Sequence, residues 1–402
     1  MTTSVLVRGM AVLAAGTLLW GLGAGPAAAD NIRDQQWALQ RYGAESSVWP
    51  ISQGDGVTVA VIDSGVDAVH QDLTGQVVNG GDFTGGTSNG LVDDLGHGTG
   101  MAGLIAGHGH GDGDGSGVMG LAPKAKILPI RVPLDDNGDF AAGQELNFAG
   151  ALRYAVDHGA KVVNMSFYVG GLRLNADARA AVDYAISRDV VLVAATGNLG
   201  NVSGAPVSYP AAFPGVVAVG AIDQKGALWD RSNQGPEISL VAPGVGIYSP
   251  GNRSSADYRY TSGTSDATAY VSAIAALVRS KYPALSAGQV INRMITSAAA
   301  PPDGSKVPND RYGYGIASPS KALAPNPAVD NGSTANPLLS RPESQGAPES
   351  ALPVVPVAAG KAASGAVPLW LVGVGGVLVV LVVLGIVVLV RRGRRPRPHP
   401  YR

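Results

Sequence analysis

Between residues 30 and 323 the chain alternates short runs rich in Val, Ile and Ala with longer stretches of helical period. Buried strands of a parallel sheet, covered on both faces, leave this pattern. Strands are expected at Val57 to Ile62, Lys126 to Val132, Val162 to Met165, Val190 to Ala195 and Val216 to Ala221. The intervals predict helices at His97 to Ala106, Gln144 to Asp157, Asn175 to Ser187 and Ser265 to Lys281. The fold class is therefore α/β and doubly wound, with functional groups gathering at the carboxyl ends of the strands.

Two apolar runs at the ends of the chain have a different meaning. Arg8, the run from Met10 to Leu22 and the small residues Ala27 to Ala29 read as a secretory signal over residues 1–29. Residues 369–390 are rich in Val and Leu, carry no charge and are long enough to cross a bilayer as one transmembrane helix. The basic tail 391–402, with Arg391, Arg392, Arg394, Arg395 and Arg397, is kept on the cytoplasmic side by the positive-inside rule. The expected location is thus the cell membrane, single-pass, with the folded part extracellular. Residues 324–367, dominated by Pro, Ala, Ser, Gly and Asn, are expected to form a linker. Residues 30–53 form an N-terminal extension and 54–323 the main domain.

Charge and cysteine content narrow the chemistry. With 29 basic and 30 acidic residues the net charge is -1, which gives no global attraction to nucleic acid. The absence of cysteine excludes disulfides, thiolate metal sites and a thiol nucleophile.

Four local signals can carry chemistry. Asp63 ends an apolar strand and precedes a Gly turn; alone, it reads as a turn cap. His97 opens a helix of small residues, where an imidazole could exchange protons near neutral pH. Ser265 lies at the start of a helix, where free backbone N–H groups face a developing oxyanion; an ordinary N-cap serine is the competing reading. Asn198 follows Thr196 and Gly197 at the end of another apolar strand and could donate a further hydrogen bond.

Taken together these residues resemble the subtilisin-like serine peptidases, whose triad arrives in the order Asp, His, Ser with an oxyanion asparagine between the last two. The likeness extends to Gly120-Leu-Ala-Pro123, Val163-Asn-Met-Ser166, Val241-Ala-Pro-Gly244 and Tyr312-Gly-Tyr-Gly315. It implies a three-layer subtilisin-like fold over 54–323. It also implies that Asp63 orients the imidazole, His97 is base and acid, Ser265 is the nucleophile and Asn198 stabilises the oxyanion. Ser166, Phe167, Tyr168, Thr196 and Gly197 are the expected substrate-binding residues. The end-to-end layout, with Ile32 to Trp37 in the extension, resembles the mycosins, membrane-anchored subtilisin-like proteases of type VII secretion. The function so implied is a serine endopeptidase acting on protein or peptide, with a secretion-system membrane complex as partner. A catalytically weak scaffold of such a complex is the alternative, and a stalked adhesin is a more distant one.

The chain departs from that pattern in three places. Asp266 and Ala269 replace the usual Met and Pro after the nucleophile; Asp266 is expected to point away from the oxyanion, which its charge would oppose. Phe167 and Tyr168 are bulky where the family is small, so they either narrow the cleft or simply pack. The loop from His108 to Gly117 offers Asp112 and Asp114 as candidate calcium ligands, but a solvated glycine loop is the favoured reading and no cofactor is required.

Overall fold

The computed structural model describes residues 32–135, 147–169, 175–200 and 205–341. Its strands, in chain order, are β1 (Thr58–Asp63), β2 (Gly81–Asp82), β3 (His108–His110), β4 (Ser116–Met119), β5 (Lys126–Arg131), β6 (Val162–Met165), β7 (Val191–Ala195), β8 (Val217–Ile222), β9 (Ile238–Pro243), β10 (Val245–Pro250) and β11 (Tyr258–Ser262). Seven of them form one sheet in the order β2-β5-β1-β6-β7-β8-β9. Every neighbouring pair in it is parallel. β10–β11 and β3–β4 are separate antiparallel hairpins.

The period of two along β1 sorts its side chains into two cores. Val59 and Val61 face one cluster, with the helices Thr264–Lys281 and His97–Ala106; Ala60 and Ile62 face the other, with the helices Phe148–Asp157 and Ala176–Ser187. The result is the expected three-layer arrangement. β6, β7, β8 and β9 are buried along their whole length, which is why β7 and β8 read as continuous apolar runs.

The N-terminal extension is stitched to the domain through backbone groups. Gln36 exchanges two hydrogen bonds with Met119, each 2.9 Å, extending the edge of the β3–β4 hairpin. The Trp37 indole, buried in the helix Trp37–Tyr42, donates to Gly246 O at 3.0 Å, and that of Trp49 to Leu121 O at 3.0 Å.

At the other end the folded chain runs on past residue 323, so the linker does not begin at 324 as composition suggested. Helices Pro319–Leu323 and Pro327–Asp330 and a 3-10 turn at Pro337–Ser340 lie against the domain, with Val329 and Leu338 buried. Arg293, fully buried, holds this strap by pairing with Asp330 at 2.6 Å and donating to Ala322 O and Ala324 O. Arg341 donates to Glu237 O, Ala211 O and Phe213 O. Few apolar side chains are needed when borrowed cations satisfy the strap's carbonyls. The signal and transmembrane segments lie outside the described residues; among the described residues no helix is long and apolar enough to cross a membrane.

Candidate active site

β1 delivers Asp63 to the carboxyl edge of the sheet, where its Oδ1 is 2.8 Å from His97 Nδ1. The approach depends on a small residue: a Cβ on Gly98 would collide with Gly65 O and crowd the Asp63 side chain. The helix end can therefore sit directly on the strand end. Asp63 is fully buried; its Oδ1 also accepts from Ser64 N at 2.8 Å, and its Oδ2 has no hydrogen-bond partner among the described residues.

Sequence reasoning missed the support behind this pair. Buried Asp93 accepts from Ser64 Oγ, Gly96 N, Thr99 N and Thr99 Oγ1 at 2.6 to 2.9 Å. A carboxylate at a helix start suits the dipole and satisfies otherwise orphaned donors. Ser64 Oγ in turn accepts from Gly98 N at 3.0 Å, so Asp63 and the His97 helix share one anchor. The signal in the sequence was an aspartate four positions ahead of the helix.

Burial pulls the His97 imidazole down, and the charge and hydrogen bond of Asp63 more than offset it, leaving it above its ordinary 6.5.

Ser265 stands in the first turn of the helix Thr264–Lys281, 9% exposed. Its hydroxyl donates to Ser166 O at 2.8 Å, while Ser166 Oγ donates back to Ser265 O at 3.1 Å. The structure thus joins His97 to Asp63 and Ser265 to Ser166; no hydrogen bond links Ser265 to His97 among the described residues. Ser166 also receives Asn164 Nδ2, whose Oδ1 accepts from Ser272 on the same helix, so β6 fixes the helix through a buried polar chain.

Asn198 follows β7. Its turn needs Gly197, at φ +104, where a Cβ would strike the Asn233 and Ser208 side chains. Asn198 Oδ1 accepts from Thr264 N and Thr264 Oγ1, each at 2.9 Å, which leaves Nδ2 as the outward donor. The point a Cβ on Gly263 would occupy is 3.6 Å from Ser265 N and 3.8 Å from Asn198 Nδ2. Two donors therefore border one small space beside the serine.

Asp266 borders it too, with Oδ2 3.5 Å from the same point. Its carboxylate turns to β11, where Thr261 Oγ1 donates at 3.1 and 3.3 Å, but it does not leave the donor pair's surroundings as expected. Burial with so few donors pushes Asp266 up to about 6, against the lowering pull of His97, Thr261 and Arg259.

The remaining residues divide. Phe167 is buried in the second core, so its ring packs and does not line the cleft, whereas Tyr168 is half-buried. Thr196 is fully buried, and its hydroxyl has no partner among the described residues. Asp112 and Asp114 lie in an exposed turn, and the carbonyls of Asp114 and Ser116 accept from Arg33 of the extension. Among the described residues no group of three or more His, Asp or Glu is placed to hold a metal.

Comparison with known proteins agrees with this fold. The sequence model of the Subtilase family matches residues 54–315. Thermitase of Thermoactinomyces vulgaris is 38% identical over 252 residues, 62% of this chain and 85% of that protein. Among solved structures, the MycP3 protease from the type VII (ESX-3) secretion system superposes with a TM-score of 0.58 at 33% identity, covering 72% of this chain and 87% of that one. MycP1 from Mycobacterium smegmatis gives 0.61 at 28% identity, covering 83% and 91%.

Proposed function

Because the chain belongs to the subtilase family of serine endopeptidases, we propose that it cleaves a protein substrate through an acyl-enzyme on Ser265, held at a membrane in association with type VII secretion. The single observation that carries the chemistry is the Asp63–His97 pair at 2.8 Å, placed at the sheet edge where the Ser265 helix begins.

In this reading Asp63 fixes the imidazole tautomer with Nδ1–H toward itself and Nε2 free as base. Turning the Ser265 hydroxyl from Ser166 O toward His97 brings it into attack; such bonds commonly tighten only when substrate binds. The Ser265 hydroxyl oxygen attacks the peptide carbonyl as its proton passes to Nε2 of His97. Charge on the carbonyl oxygen is met by Ser265 N and Asn198 Nδ2. His97 then gives the proton to the departing amine, and water releases the acyl group by the same path.

The type VII association draws on the likeness to MycP1 and MycP3; the membrane location draws on the apolar segment at 369–390 and the arginines after it. Labelling membranes that carry the full chain with a fluorophosphonate tests the reading: wild type reacts and Ser265→Ala does not. A folded wild type that stays unlabelled favours the scaffold reading.

A further inference from the structure

β11 turns two side chains toward the site. Along it Arg259 and Thr261 are half-buried, with Tyr260 between them exposed. Arg259 Nη1 donates to Leu95 O at 3.1 Å and lies 3.3 Å from where a Cβ on Gly96 would stand, beside the start of the His97 helix. Thr261 grips both oxygens of Asp266. We infer that Asp266 is a positioning residue for the proton on His97: with Thr261 and Arg259 it forms a second charge system, apart from Asp63, that governs when the imidazole is free to act as base.

The charges that bear on His97 come from β1, β11 and the Ser265 helix. Asp63 of β1 and Asp266 favour the imidazolium, and Arg259 of β11 opposes it. Asp266 in turn is lowered by His97 and Arg259. Tyr270, one turn further along the helix, and Tyr42, edge-on to it at 5.9 Å, are both held neutral by burial. Two carboxylates and one guanidinium thus act on one imidazole. With Asp266 ionised, His97 keeps its proton to higher pH; removing that charge frees the base earlier.

The inference rests on the serine-protease reading, and its test separates the two. Fluorophosphonate labelling rates of the full chain in detergent are measured against pH for wild type, Asp266→Asn, Thr261→Val and Arg259→Gln. The His97 imidazole is titrated by NMR in the same set carrying Ser265→Ala. Asp266→Asn is expected to move the midpoint down by about one pH unit, raising the acid-side labelling rate roughly tenfold. Thr261→Val, which removes the donor that keeps the carboxylate charged, shifts it the same way by less. Arg259→Gln shifts it up. Opposite signs from Asp266→Asn and Arg259→Gln are not produced by loss of packing. Midpoints that match wild type, or that move in one direction for both, overturn the inference; Thr261→Val decides it if Asp266→Asn does not fold. Imidazole shifts without any labelling sink the nucleophile and leave the inference standing.

Discussion

Ser166 and Ser265 exchange hydrogen bonds, the hydroxyl of each donating to the carbonyl of the other at 3.1 and 2.8 Å. The nucleophile is thereby held at the end of β6, and the acceptor that holds its hydroxyl is backbone. Ser166→Ala should leave that acceptor in place while orphaning Asn164 Nδ2 in the interior. The expected cost is about 1–3 kcal/mol in denaturant unfolding, with a fall of less than about tenfold in labelling at Ser265.

Thr264 decides which end of the Asn198 amide faces outward, since it supplies both donors to Oδ1. Asn198→Ala should lower the acylation rate by about 10²–10³-fold with substrate binding nearly unchanged. Thr264→Val should lose part of the same factor, because the amide is then free to turn over. Stopped-flow acylation with a peptide ester separates the two effects.

Asp266 links stability to pH. Its folded value is raised from 3.8 to about 6, so its contribution is fully present below pH 3.8 and is lost as the pH climbs through 6. About two units correspond to on the order of 3 kcal/mol. Asp266→Asn should therefore unfold at a higher temperature than wild type at pH 7.5, and the gap should close by pH 4. A gap that persists at pH 4 would assign the gain to packing.

The indole of Trp37 is buried and bonded to β10. Trp37→Ala is expected to cost about 3–5 kcal/mol. A chain starting near Gly54 should lose more, because Gln36 and Trp49 leave with it. Thermal melts of the three proteins check the order.

Much of this was readable before any coordinates. β1, β5, β6, β7 and β8 fall within one residue of their expected bounds, because a strand buried on both faces must be apolar throughout. Asp63, His97, Asn198 and Ser265 stood out because each marks a break between an apolar run and a glycine turn. β9 escaped notice: Glu237 and Ser239 interrupt its pattern and Pro243 ends it. The β10–β11 hairpin, half-buried and outside the main sheet, has no period of its own. Partner choice was out of reach as well, since Asn198 meets Thr264, and Thr261 meets Asp266, only after distant segments pack. The strap to Arg341 failed to announce itself because it is held by the cations Arg293 and Arg341, which meet their partners only after distant segments pack.

That strap also fixes the direction in which the domain can be held. Arg341 grips Glu237 just ahead of β9, and Ala211 and Phe213 ahead of β8, whereas Asp63 is the last residue of β1 and Asn198 follows β7. Strands of this length put about 20 Å between the two rims. Residue 341 is therefore fixed at the rim remote from Asp63 and Asn198, and the cleft mouth stays clear of the strap.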